Sequence, residues 1–509
     1  MTLLLLSFLA LAGDDDDDAD VKYSPTAIDF DSVMIAPAPS VRMKAEMGVT
    51  AGGAQDIGYF RDQIDAGNIP HPNVFTPEGL FGEHDLPLDG TGKCTALICP
   101  IGEATSATLL AQPEVRWLAQ LGFDSGIDAA TWKRAPVNLV AVVDKSGSMS
   151  GQPIEAVKAS LQAMLGNLRP GDQVSIVLYG ATVATHLAPT SVADRSTISR
   201  AIDSIAIDGS TNMEAGLQHG FALAKASAPK FDGVTRVMLF TDERPNTGRT
   251  DAASFMGMAI DASKAGVGMT TIGVGEQFGA ELATQISSVR GGNLFFFPDS
   301  LKMRETFATE LDTMVSELAY DLELEVRPAP GLKIAGVYGI PGDAVSWTPD
   351  GALTMKVSTL FLSHDEGAIY FGFAPAGDLP ARPTGSVGTV EVAYTMRNGE
   401  RPVRSVNLTV TGRPQEGLAR GLMLVDEVTV LKAATALHHE KNDQEGAYQL
   451  VHALAGRWAG QADPELAIEQ DLIAKVEARL GKLSGHEGEA PPLVSGRDTV
   501  NGLPRTRVP

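Results

Sequence analysis

The sequence predicts an α/β protein built on a doubly wound, mostly parallel sheet, with an accessory antiparallel β-sandwich and a C-terminal helical region. Three observations carry this expectation. Between residues 136 and 316, short apolar strands alternate strictly with amphipathic helical segments, a pattern that implies crossover connections and helices on both faces of a parallel sheet. Residues 317–412 change to period-two alternation, as in Asp321-Leu322-Glu323-Leu324-Glu325-Val326, which is how half-buried antiparallel strands read. From 413 to 483, Leu418, Leu422, Val425, Val428 and Leu431 restore helical spacing, continued by Leu450, Leu454, Ile473, Val476 and Leu480.

With 509 residues the chain exceeds one ordinary core, and about two to four domains are expected. Hydrophobic residues make up 44% and charged residues 20%, which are globular values. The balance of 63 acidic against 40 basic residues, a net charge of −23, disfavours nucleic acid and anionic membrane surfaces as partners. It suits cations or a basic partner, or serves solubility alone.

At the N-terminus, residues 1–13 contain the apolar run from Leu3 to Ala12. It is too short to span a bilayer and matches the apolar core of a secretion signal, here without a basic leader. Leu11-Ala12-Gly13 resembles the start of a lipoprotein cleavage box, but Asp14 stands where the lipid-bearing Cys would be, so membrane attachment stays open. The aspartates from 14 to 18 read as a solvated spacer, and 14–53 as an acidic, Pro-rich linker. Cys94 and Cys99 would close a small loop in an exported protein and remain thiols in the cytosol. Lacking a partner pair or neighbouring His, they do not indicate zinc. The expected location is extracytoplasmic: periplasmic, cell envelope or secreted.

Residues 54–135 are expected to be an N-terminal extension contributing to the β-sandwich. Its opening helix from Tyr59 is stopped by Gly67 and Pro70, and short apolar pieces follow near Thr95–Ile98 and Val115–Ala119. In the α/β segment the expected elements are a strand at Val137–Val143, a helix at Gln152–Leu168, a strand at Gln173–Tyr179, an edge strand at Ala181–Leu187, and helices at Ser196–Ile205 and Met213–Ala226. A strand at Val234–Phe240, a helix at Asp251–Lys264 and a strand at Gly268–Val274 come next. The series closes with a helix at Gly279–Val289, a strand at Gly292–Phe297 and a helix at Leu301–Leu318. Residues 484–509, with Pro491-Pro492, are expected to be a disordered tail.

The functional signal sits where the first of these strands ends. Asp144, Ser146 and Ser148 follow the run Val137–Val143, and the crevice outside the carboxyl ends of such strands is where ligands bind. Three short oxygen-bearing side chains at alternate positions of a turning loop can converge on one point, and oxygen-only donors suit a hard cation. Asp144-Lys145-Ser146-Gly147-Ser148 resembles the metal-ion-dependent adhesion site of von Willebrand factor type A domains, which adds a distant Thr and a distant Asp. Thr211 in Asp208-Gly209-Ser210-Thr211-Asn212 and Asp242 after Leu239-Phe240-Thr241 match those positions in order and context. Asn68-Ile69-Pro70-His71-Pro72 resembles the N-terminal extension of a bacterial subgroup of these proteins.

The resemblance implies a metal site of Asp144, Ser146, Ser148, Thr211 and Asp242. Ser146, Ser148 and Thr211 would be direct or near-direct ligands, and the two aspartates charge-balancing anchors. Mg²⁺ is favoured, with Ca²⁺ or Mn²⁺ as alternatives, because hydroxyls plus waters suit an octahedral shell. An open position would accept an Asp or Glu carboxylate from a protein ligand, making the chain a non-enzymatic, divalent-cation-dependent binding module for adhesion or assembly. Alternatives are a scaffold whose metal does not bridge, and a partner of an ATPase in an assembly or chelatase-like complex. A further alternative has the loop oxygens merely capping the helix that starts near Gln152. Two departures bear on the site. Glu243 follows Asp242 where relatives often carry Gly, and Lys145 would compete with a cation unless strand alternation turns it away. His438, His439 and His452 read as surface or partly buried histidines.

Overall fold

In the computed structural model the described residues are 46–51, 53–54, 57–90, 94–128, 131–242, 252–274, 291–297, 300–340, 345–363, 366–377, 385–489, 499–500 and 503–504. The apolar N-terminal run, the five aspartates, Glu243 and the expected helix at Gly279–Val289 lie outside them.

The first part of the chain supplies β1 (Glu46–Ala51), β2 (Gly53–Ala54), α1 (Gly58–Asp65), α2 (Pro77–Gly82), β3 (Cys99–Ser106) and β4 (Trp117–Asp128). The α/β segment follows, with β5 (Val137–Asp144), α3 (Gln152–Asn167), β6 (Gln173–Tyr179), β7 (Val183–Ser191), α4 (Arg195–Asp203) and α5 (Met213–Ser227). It continues through β8 (Val234–Thr241), α6 (Ala252–Lys264), β9 (Val267–Val274), β10 (Gly292–Phe297), α7 (Ser300–Thr309) and the single turn α8 (Leu311–Met314). Then come β11 (Glu317–Pro328), β12 (Leu332–Tyr338), β13 (Val345–Trp347), β14 (Leu353–Ser363), β15 (Ala368–Pro375), β16 (Ser386–Met396) and β17 (Val403–Val410). Three helices complete the chain: α9 (Glu416–Ala436), α10 (Gln444–Trp458) and α11 (Ala467–Ser484).

The α/β segment forms a seven-stranded sheet in the order β2-β10-β9-β8-β5-β6-β7. Every pairing is parallel except the edge pair β6–β7. All eight residues of β5 are buried, as a central parallel strand covered on both faces requires. Leu139, Ala141 and Val143 pack in one apolar cluster with α3, α4 and α7, while Val140 and Val142 pack in a second with α5 and α6. This two-sided burial produces the unbroken apolar run seen in the sequence.

The remaining strands make a ten-stranded sheet in the order β1-β14-β11-β16-β17-β3-β4-β15-β12, with β13 on β14 and β1 also pairing β4. The expected antiparallel sandwich is thus one sheet closed through the double pairing of β1, with one parallel pairing, β17 to β3. Strands from before and after the α/β segment interleave in it, so that segment is an insertion between β4 and β11. Helices α9–α11 share a third apolar cluster with α1 and α2. Helix α9 is buried nearly all round, so it reads as a core helix rather than a surface one.

Three boundaries differ from expectation. Residues Glu46–Ala51, assigned to the linker on composition, form β1, because pairing with β14 and β4 supplies the hydrogen bonds that their composition does not advertise. The closing helix expected to reach Leu318 stops at Thr309, gives one further turn to Met314 and yields to β11 at Glu317; strand pairing claims its last residues. In the tail, Gly485 ends α11 in the left-handed conformation and His486 bonds Glu445 and Glu489. Thr499–Val500 pairs with Leu503–Pro504. Cys94 and Cys99 are joined in a disulfide. Among the described residues no helix is long and apolar enough to cross a membrane.

Candidate metal centre

The site is built at the carboxyl ends of β5, β6 and β8. Parallel register sets Val143 beside Phe240 and Asp144 beside Tyr179, so Asp144 emerges between Tyr179 and Thr241. The Thr241 hydroxyl donates to Asp144 Oδ2 at 3.3 Å. Beyond Asp144 the chain turns at once: the Ser146 N–H donates to Asp144 Oδ1 at 2.8 Å, a side-chain-stabilised turn. Ser146 is buried and Ser148 exposed. Their hydroxyl oxygens are 3.0 Å apart, and Met149 anchors the loop in the core below.

The Thr211 loop is docked on this turn through its backbone. Asp208 N–H donates to Lys145 O (2.6 Å), Gly147 N–H to Gly209 O (2.8 Å), and Ala181 N–H to Asp208 O (3.2 Å). Gly209 has φ +61, and a Cβ there would lie 2.9 Å from that of Ala181; both its conformation and its space call for glycine. Thr211 is buried next to Asn212, whose Oδ1 caps α5 by accepting from Ala215 N–H at 3.0 Å. Asp242 is buried just past the end of β8.

Electrostatics distinguish this cluster from an ordinary polar turn. The Asp144 carboxyl is pushed up to about 6, first by burial and then by the charge of Asp242, against the opposing Ser146 bonds and the Tyr179 hydroxyl. Burial and the same two carboxylates push the Tyr179 hydroxyl well up. The nearby ammonium does not relieve them: Lys145 Nζ turns outward to Asp208 Oδ2 at 2.6 Å and Thr182 Oγ1 at 3.0 Å. The structure therefore brings Asp144 and Asp242 within repulsive reach, puts Ser146 and Ser148 in contact, and seats Thr211 in a loop bonded to Gly147. The chemistry of the expected residues, two buried carboxylates and three hydroxyls, is that of a hard, oxygen-only set with two negative charges to balance, and a divalent cation would suit it.

The capping alternative does not hold. The residue preceding α3 is Gly151, at φ +84, and no side chain caps that helix. Tyr179, Thr241 and the Lys145–Asp208 lock were not singled out from sequence as parts of the site. Their signal was present only as strand-end position and as the residue inside the motif. The histidines are engaged elsewhere: His438 Nδ1 with Gln444 (2.6 Å), His439 Nε2 with the Ile69 carbonyl (2.8 Å) and His452 Nδ1 with Glu477 (2.6 Å). Among the described residues no group of three or more His, Cys, Asp or Glu side chains gathers as a metal site, so a cation held here would depend on hydroxyl donors.

Residues 138–309 match the family model of the von Willebrand factor type A domain. The chain is 30% identical over 195 residues to the uncharacterized protein YfbK of Escherichia coli, covering 38% of this chain and 34% of that protein. It is 27% identical over 198 residues to inter-alpha-trypsin inhibitor heavy chain H1 of Sus scrofa, covering 37% and 22%. The chain thus spans about a third or less of the length of these relatives. Among solved structures it is similar to a von Willebrand factor type A protein from Catenulispora acidiphila, at 14% identity and TM-score 0.48 over 77% of this chain and 91% of that one. It is also similar to proximal thread matrix protein 1 from the mussel byssus with a zinc-occupied MIDAS motif, at 17% identity and TM-score 0.31 over 36% and 49%.

Proposed function

We propose, from the premise that residues 138–309 form a von Willebrand factor type A domain, that this domain binds a protein ligand in a divalent-cation-dependent manner, for adhesion or assembly and without catalysis. The observation that carries the reading is the buried pair Asp144 and Asp242, mutually repelling while Lys145 is tied to Asp208. Ser146, Ser148 and Thr211 would hold the cation through their hydroxyls, and Asp144 and Asp242 would balance its charge from behind. When bound, Mg²⁺ (or Ca²⁺ or Mn²⁺) supplies a Lewis-acidic position open to an Asp or Glu carboxylate of the ligand. The turn at Ser146 and the backbone bonds from Gly147 and Asp208 hold the donor loops in register before any ligand arrives. Burial of Asp144, Ser146, Thr211 and Asp242 leaves Ser148 as the donor nearest solvent, which faces a ligand's approach.

An extracytoplasmic setting accompanies this reading. The run Leu3–Ala12 resembles the core of a secretion signal, and the Cys94–Cys99 disulfide is of a kind that persists in oxidising compartments. The experiment is capture of ligand from native extract by the full chain with Mg²⁺ or with chelator, alongside Asp144→Ala. Capture lost under chelator and in the variant supports the proposal. Capture unchanged in both favours a scaffold whose β and helical parts bind constitutively.

A further inference from the structure

Where α1, the end of α2, α9 and α11 meet, five ionisable side chains gather that the candidate metal centre does not use: Arg61, Glu83, His84, Glu427 and Glu469. Most of their polar atoms are accounted for. Arg61 Nη1 bonds Glu83 Oε2 and Nη2 bonds Glu469 Oε1, each at 2.5 Å. His84 Nε2 donates to Glu469 Oε1 at 2.9 Å, and Glu83 Oε1 accepts the Ile57 N–H at 2.6 Å. The atoms of the cluster left without a hydrogen-bond partner are Glu469 Oε2 and both oxygens of Glu427, together with the nitrogens Arg61 Nε and His84 Nδ1. Both glutamates are 0% exposed, and the Glu427 carboxyl lies against that of Glu469. Two ionised carboxylates buried in contact repel strongly, whereas one proton between them joins a Glu427 oxygen to Glu469 Oε2 in a hydrogen bond and removes one of the two charges.

We propose that Glu427 and Glu469 share one proton across neutral pH, and that this proton fastens the N-terminal helices to the C-terminal helical region. The charged groups facing Glu427 are Glu469 of α11, Arg61 of α1 and Glu83 after α2, with His84 reaching the pair through Glu469. Other charges on or against α9 are engaged elsewhere: Asp426 with Arg457, Arg420 with Asp463, Lys432 with the carbonyls of Pro72 and Phe75 in the field of Glu78, and Glu103 of β3 with Thr411 and Gln415. Burial, then the charge of Glu469, holds Glu427 well above the ordinary carboxylate range. Glu469 is held below it despite burial, because His84 and Arg61 bond its anion. The proton therefore resides on Glu427 and is donated to Glu469.

Loss of that proton leaves two buried anions beside Glu83 with Arg61 as their guanidinium partner, so rising pH loosens the junction. The consequence reaches the α/β sheet, because α1 also sets Tyr59 edge-on against Phe296 of β10, with centroids 5.6 Å apart at 89°. Glu427→Gln keeps a neutral donor toward Glu469 and removes the titration. In the full-length protein, hydrogen exchange of the α1 amides, corrected for intrinsic rates, should rise by about tenfold per pH unit above the ordinary carboxylate range in the wild type. In Glu427→Gln it should stay flat. Infrared difference spectra of the wild type at neutral pH should show the C=O stretch of a buried carboxylic acid, lost in the variant. Equal pH slopes in the two proteins would overturn the proposal. So would absence of that band from the wild type, a measurement that does not depend on the variant folding.

Discussion

Replacing Asp144 by Asn separates the cost of assembling the metal centre from the use made of it. The Asp144 carboxyl is displaced from 3.8 to about 6, chiefly by burial and further by Asp242. About two pH units at ~1.4 kcal/mol each amounts to ~3 kcal/mol. Because the folded value is raised, this stability is fully present below the ordinary carboxylate range and is lost as pH climbs through about 6. Metal-free wild type at about pH 8 therefore carries nearly the whole penalty. Asn keeps an oxygen to accept the Ser146 N–H and removes the charge. In chelator at about pH 8 the variant should be more stable by up to ~3 kcal/mol, roughly 6–12 °C for a domain of this size. Near pH 4 the difference should vanish. Excess Mg²⁺ should leave the variant unmoved and stabilise wild type by ~2.7 kcal/mol at a hundredfold excess over Kd, which nearly closes the gap, and by ~4.1 kcal/mol at a thousandfold excess, which reverses the order. Thermal and urea unfolding followed by circular dichroism, with and without Mg²⁺ at both pH values, checks every part. A variant less stable than wild type in chelator at alkaline pH, with an equal Mg²⁺ response in both, would refute the reasoning.

Further outcomes follow from the surrounding geometry. Asp172 accepts from both Arg134 terminal nitrogens (2.9 and 2.6 Å) and from Val137 N–H (2.8 Å) and Arg169 N–H (2.7 Å) at the root of β5. Asp172→Ala should cost about 3 kcal/mol in urea unfolding, because it removes the carboxylate from both terminal nitrogens of the buried Arg134, leaving it Asp312 and the Ala135 carbonyl, and also unmakes two backbone bonds; a loss under about 1 kcal/mol would contradict that role. Gly209→Ala, strained at φ +61 and crowding Ala181, should displace the Thr211 loop and cost about 1–2 kcal/mol. Isothermal titration with Mg²⁺ should then show a weakened affinity in a folded protein. Lys145→Ala removes an ammonium already turned to Asp208, so Mg²⁺ affinity should stay within about fivefold of wild type; a larger change would mean that Lys145 faces the site.

How much was legible in the sequence depended on whether the determining contacts were local. The run Leu139–Val143 announced a strand buried on both faces because each of its residues is apolar, while the buried Asn138 before it is satisfied by Ser227 and Thr235. The turn at Ser146 was legible because Asp144 and Ser146 lie two positions apart. The closing of the second sheet was not legible. β1 is a strand because Gly48 lies opposite both Ser363 and Asp124, partners supplied by distant parts of the chain. The Glu427–Glu469 pair escaped for the same reason: Arg61 and Glu469 are 408 positions apart, and glutamates at those positions look like solvated helix residues until α9 is found inside the core. Lys145 was partly legible. Strand alternation predicted that it points away, but not that Asp208, from the Thr211 loop, holds it there.

The two edges of the α/β sheet divide its work. The candidate site occupies the carboxyl ends of β5, β6 and β8, whereas attachment to the ten-stranded sheet is made at the opposite ends. There the buried Arg236 of β8 donates to the carbonyls of Met269 and Gly291, approaches Glu317 Oε1 at 3.3 Å and lies over the Phe361 ring at 5.0 Å. Gly291 N–H in turn donates to Thr359 Oγ1 at 2.5 Å. Six residues of extended chain from Arg236 to Asp242 correspond to about 20 Å, beyond the ~7–10 Å over which substitutions usually couple. Asp144→Asn and Glu317→Gln should therefore combine additively in unfolding free energy, within ~0.5 kcal/mol. A larger coupling energy in that double-mutant cycle would mean that occupancy of the site is transmitted along β8 to the junction, and the inserted domain would then be a lever rather than a rigidly mounted head.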